Sequence, residues 1–127
     1  MGAPYKPFDF STSTIHAVDL AKLARELTSG EAFQESGRVA VTLARETRMT
    51  VVLTVLRKGA EIHEHQAPGP VTLVVLSGRV AVRPEPGFGS EALLDAGSSA
   101  VFAPEVRHSL SGLLDSAVLI VIGGRST

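Results

Sequence analysis

Two of the chain's four histidines, His63 and His65, stand one residue apart within Gly59 to Gly78. In an extended strand, residues i and i+2 point to the same face. Two imidazoles so placed can converge on one cation, which that spacing on a helix would not allow. A third, His108, sits in another short extended-looking stretch. Three neutral imidazoles with open positions suit Zn, Fe, Ni or Cu. Glu61 shares the alternation of His63 and could add a carboxylate, whereas Glu64 should point the other way. The competing reading is a polar barrel mouth without metal, with His108 a core-edge histidine bonded to backbone carbonyls. There is no cysteine, which removes disulfides, thiolate metal sites and cysteine nucleophiles together. No Gly-x-Ser-x-Gly or paired-carboxylate arrangement stands out, so no hydrolase and no catalytic residue is inferred. Gly87-Phe88-Gly89 reads as a hairpin loop and not a phosphate loop, because no helix follows it.

The elements that must position these residues come from a chain of 127 residues, the length of one domain. A net charge of −1 without a basic run gives a nucleic acid little to grip. No apolar stretch approaches the roughly 18 residues of a membrane helix, and Met1 to Ser11 lacks a signal-peptide core. A cytoplasmic protein is expected. Residues 1–14 are rich in Pro, Ser and Thr and read as an arm. Leu20, Leu23, Ala24 and Leu27 then follow a helical stripe, with Asp19 suited to the N-cap and Gly30 to the stop. From about residue 37 the period becomes two.

Strands are expected over 38–46, 49–56, 61–66, 71–76, 79–83, 92–94, 99–103, 107–110 and 117–122, punctuated by Gly and Pro. Many short strands so spaced indicate a sandwich or barrel. Residues 1–36 form the arm and helix packing on the barrel, and residues 37–127 form the barrel. Several strands, such as Val51 to Leu56 and Val71 to Leu76, are apolar on both faces. One face lines the core and the other needs cover, because burying one Val or Leu is worth about 1.5–3 kcal/mol. A homodimer is the expected cover; the alternative is that arm and helix cover everything.

A glycine, histidines, a strand, Leu-Ser-Gly and then a second box ending in histidine together resemble the cupin superfamily, over roughly Arg38 to Gly123. The resemblance implies an all-β fold, a double-stranded β-helix of the jelly-roll kind, here with one short N-terminal helix. The first cupin box is Gly, five residues, His-x-His, three or four residues, Glu, six residues, Gly. Counted from Gly59, its slots hold His65, Ala67, Val71 and Gly78. The second is Gly, five residues, Pro-x-Gly, two residues, His, three residues, Asn; from Gly97 its slots hold Ala103, Glu105, His108 and Gly112. Spacing fits throughout, with His65 and His108 the ligand-slot residues present. A competing register makes His63 and His65 the pair, but then Gly59 is two residues too close and the Glu slot is Gly69 or Pro70.

The resemblance implies a range of activities. In a metal-dependent, dioxygenase-like enzyme acting on a small molecule, His63, His65 and His108 would hold a divalent Fe, Zn, Ni, Mn or Cu. Glu61, Val71, Leu73 and Phe102 would shape the pocket. In the alternative, a non-catalytic cupin binds a small apolar or aromatic ligand without metal, which the valine at position 71 favours. A structural or regulatory dimer with a vestigial pocket is a third reading. An epimerase-like chemistry ranks low: Asp95 and Asp115 read as turn residues and Tyr5 lies in the arm.

Overall fold

A computed structural model describes residues 5–11, 14–63, 67 and 69–124. The elements in order are α1 (Leu20–Thr28), α2 (Glu31–Ser36), β1 (Arg38–Glu46), β2 (Met49–Leu56), β3 (Glu61–His63), β4 (Val71–Ser77), β5 (Arg79–Pro84), β6 (Ala92–Asp95), β7 (Ser99–Phe102), β8 (His108–Gly112) and β9 (Ser116–Gly123). None of the described helices is long and apolar enough to cross a membrane.

Helix α1 starts where its cap chemistry dictates. The Asp19 carboxylate accepts from the Lys22 N–H at 3.0 Å, satisfying one of the orphan donors of the first turn. The helix ends at Thr28 with Ser29 as its C-cap, and the chain leaves the helix at the expected Gly30, which is extended at φ −83°, ψ 160°. Gly30 is also the N-cap of α2, a helix that sequence periodicity did not disclose. Its six residues carry a single buried side chain, Phe33, so there is no repeating stripe to read. The Arg57 guanidinium holds α2 down, donating to the Phe33 and Gln34 carbonyls at 3.0 Å each. It also lies 5.4 Å from the centre of the Phe33 ring, within cation–π range.

The strands form two antiparallel sheets, one of five strands in the order β1-β2-β9-β4-β7 and one of four in the order β3-β8-β5-β6. This is a jelly-roll arrangement, as the cupin resemblance implied. The inner faces meet in one apolar core of Leu56, Val71, Leu73, Val75, Val80, Val82, Leu94, Leu110, Val118 and Ile120. Alternation puts the neighbours of these residues outside. Gly78 makes the turn between β4 and β5 with φ 84°, and a Cβ there would lie 2.2 Å from Ser116 Oγ. Only glycine fits, on both counts.

The outer faces differ. On the five-stranded sheet, Val55 and Ala117 are buried under Phe33, with Ala24, Leu27, Val39 and Leu76 packed around them. The helices thus cover one end of this face. The arm reaches the edge of the same sheet, where Phe8 donates its N–H to the Leu43 carbonyl at 2.7 Å and bridges Ala44 in parallel. The Phe8 ring stacks on His16 at 5.1 Å and meets Phe10 edge-on at 4.7 Å. The four-stranded sheet instead turns charged side chains outward. Arg79 pairs with Asp95 at 3.1 Å and Arg83 with Glu91 at 2.6 Å.

Candidate functional site

The barrel mouth is built where β4, β7, β8 and β9 end. Burial alternates strictly along β8, with His108, Leu110 and Gly112 buried and Ser109 and Ser111 between them. His108 therefore points inward, and it is 8% exposed. Its Nδ1 lies 3.3 Å from the Val106 carbonyl oxygen. A carbonyl only accepts, so Nδ1 carries the hydrogen and Nε2 of the neutral ring is left as an acceptor. Among the described residues, no buried side-chain nitrogen or oxygen lacks a partner. Among the described residues no group bonds Nε2, which leaves it as an acceptor on this wall.

The imidazole lies flat on the Phe102 ring, with centroids 4.3 Å apart and planes 3° from parallel. Phe102 belongs to β7 of the five-stranded sheet and His108 to β8 of the other, so the stacked pair bridges the sheets. Phe102 stands opposite Val71, and Val71 opposite Ile122 on its other side. Leu73 lies one inward step below Val71, buried in the core. Val71, Leu73 and Phe102 thus share one inner wall with His108. Ile122, Ile62 and Ala67 join the same inner cluster. Ile122 was not singled out from sequence, although its alternation with Val118 and Ile120 carried the signal.

The loop from β7 to β8 completes the rim. Glu105 adopts φ 65°, a left-handed conformation uncommon for a residue with a Cβ. It occupies a slot where the second cupin box carries glycine, the residue that adopts such a φ without strain. Its N–H donates to the Ala67 carbonyl at 2.9 Å, tying this loop to the segment before β4.

His63 and Glu61 are not part of this wall, which corrects their expected inward placement. In the β3–β8 ladder, Ile62 pairs with Leu110, while Glu61 and His63 pair with Ser111 and Ser109. Directly paired residues share a face, so Ile62 takes the inner side and both polar neighbours turn out. The His63 side chain is 80% exposed, with Nε2 3.6 Å from Glu61 Oε1. His63 and His108 thus lie on opposite sides of one sheet. His65 lies outside the described residues, as does Glu64.

Among the described residues, no group of three His, Asp or Glu side chains is placed to hold a metal ion. The donor set around His108 explains this. Of the other ligand slots, Ala67 and Val71 offer no donor, His65 lies outside the described residues, and Phe102 covers one face of the imidazole. A divalent ion asks for three or more N or O donors. The described wall supplies one, which by itself is too few to hold such an ion.

No family model matches the chain, and no curated protein matches it. Solved structures do. A conserved protein of unknown function from Streptococcus pyogenes aligns over 99% of this chain and 98% of its own, with TM-score 0.68 and 18% identity. A cupin superfamily protein from Desulfitobacterium hafniense aligns over 68% of this chain and 77% of its own, with TM-score 0.63 and 15% identity. Salicylate 1,2-dioxygenase from Pseudoaminobacter salicylatoxidans aligns over 81% of this chain and 31% of its own, with TM-score 0.68 and 18% identity. This chain thus spans about a third of the dioxygenase. The two antiparallel sheets and these likenesses make the protein a small cupin-fold protein of the jelly-roll type. Identities this low establish the fold alone.

Proposed function

We propose that this cupin-fold protein binds a small, largely apolar or aromatic molecule at the barrel mouth without a metal ion. The observation that carries this reading is the wall itself: one imidazole acceptor, His108 Nε2, set among Val71, Phe102 and Ile122. Small-molecule sites are mostly apolar with a few placed polar groups. An apolar ligand would lie against the valine and isoleucine and present one O–H or N–H to Nε2. A carboxylate in place of Val71 would need a cation or donor, since an unpaired polar group costs roughly 2–7 kcal/mol to bury. A valine carries no such cost, which favours the metal-free reading over a dioxygenase-like one.

The test is a thermal-shift screen of small phenols, indoles and their methyl ethers, with and without EDTA, followed by titration calorimetry. Phenolic or N–H compounds should raise the melting temperature equally in both conditions, and His108→Ala should weaken them about tenfold. Protein purified without a metal-affinity column should carry well under one metal per chain. Near-stoichiometric metal, with ligand shifts abolished by EDTA, would replace this reading with the metal-dependent one.

A homodimer is proposed for the part of the five-stranded sheet that the helices leave open. Val101 on the edge strand β7 is 72% exposed and shares the outer face with Val74 and Val121, both only partly buried. Light scattering should give a dimer mass that Val101→Glu converts to a monomer. A wild-type monomer at high concentration would refute it.

A further inference from the structure

On the far side of the sheet from the barrel mouth, a groove of about 480 Å³ runs between α1 and the outer face of the five-stranded sheet. Its size lies within the ~300–1,000 Å³ range of small-molecule sites. The groove exists because the residues facing across it are small: Ala21 and Ala24 on the helix and Ala117 on β9. Val55 and Leu76 complete an apolar floor.

The polar groups of the lining are not equivalent. The Thr28 hydroxyl is spent on the Arg25 carbonyl at 3.0 Å. Ser116 Oγ donates to the Leu114 carbonyl at 2.7 Å and accepts from the Arg79 N–H at 3.0 Å. Asp115, the one carboxylate in the lining, accepts from the Lys58 N–H at 2.8 Å. The Arg25 guanidinium, the Ser77 hydroxyl and the second oxygen of Asp115 are the remaining polar groups. Among the described residues, Arg25 joins no ion pair. Acceptor capacity remains on Asp115 and Ser77, but the one cation of the lining is Arg25, a permanent charge whose fork suits a carboxylate.

We infer that this groove binds a single-chain amphiphile with an anionic head group, its apolar chain between α1 and the sheet and its carboxylate on Arg25. The apolar floor would bury the chain, and the helix rim would hold the head at the water boundary. The site is independent of the one proposed around His108, which opens on the inner face of the same sheet.

Decanoate, below its micellar concentration, is the probe, with decan-1-ol as the uncharged control. Amide chemical-shift mapping should show saturable binding of one decanoate per chain, with shifts confined to residues 20–28, 76–77 and 115–117. Arg25→Gln should weaken decanoate about fivefold and leave decan-1-ol unchanged. Ala21→Leu, at an exposed helix position, should fill the groove and weaken both. His108→Ala should leave decanoate binding intact, which separates this inference from the barrel-mouth reading. Absence of saturable binding would overturn the assignment. So would decanoate binding that survives both Arg25→Gln and Ala21→Leu, or that His108→Ala abolishes.

Discussion

The two sheets solve the problem of an outer face in opposite ways. On the four-stranded sheet the outward residues include Arg79, Arg83, Leu93, Asp95, Glu61 and His63, with ion pairs Arg79–Asp95 and Arg83–Glu91. On the five-stranded sheet the corresponding positions of β2 and β9 are Val51, Leu53, Val55, Ala117, Leu119 and Val121. The first face suits water as it stands, and the second requires cover from α1, α2 and the arm. The barrel mouth inherits this asymmetry: its apolar wall comes from the covered sheet and the inward His108 imidazole from the solvated sheet.

The sharpest way to break this contrast is a matched truncation on the two outer faces. Leu53 on β2 is 0% exposed and Leu93 on β6 is 56% exposed. Leu53→Ala should cost about 3 kcal/mol in urea denaturation, by lost transfer energy and a residual cavity. Leu93→Ala should cost no more than about 0.5 kcal/mol. Equal losses would mean that the covering layer contributes nothing. Next in size is Glu105→Gly at the rim. Relief of a left-handed backbone is worth about 1 kcal/mol, against at most a similar value for an exposed side-chain contact. A higher melting temperature is the expected result.

The ion pairs of the solvated face come after that. Because Arg79 and Asp95 are both substantially exposed, a double-mutant cycle should give a coupling of about 0.5 kcal/mol that falls with salt. The smallest effect belongs to the arm. Hydrogen bonds from the Ser11 side chain and backbone hold the Asp9 carboxyl below its usual range. A carboxyl depressed on folding adds stability above its unfolded pKa, and loses it as pH falls through the folded value. Arm protection in hydrogen exchange should therefore drop only below about pH 4, and Asp9→Asn should flatten that dependence.

Much of the scaffold was legible in the residues. Strands β1 and β2 occupy the expected spans, and Asp19 caps α1 as expected, because alternation and cap chemistry are local signals. Helix α2 was not legible, since one phenylalanine and a tertiary clasp from Arg57 hold it. At the mouth, the motif slots fell on His108 and Val71, while Phe102 was named only as a residue shaping the pocket. The inward expectation for His63 failed for a definable reason. Period two says which residues share a face, but not which face is inside. In β3 that choice fell to Ile62, whose partner Leu110 is fully buried. The stack of His108 on Phe102 joins two strands of different sheets, a relation that no local pattern encodes.

The pairing of Phe8 with Ala44 has a consequence for handling the protein. Strand β1 is the outermost strand of its sheet, and its outer rim of N–H and C=O groups is an invitation to any other extended chain. The arm accepts that invitation internally, at the Leu43 carbonyl. A version lacking residues 1–15 would offer a nine-residue strand unguarded, and its molecules would recruit one another rim to rim as concentration rises.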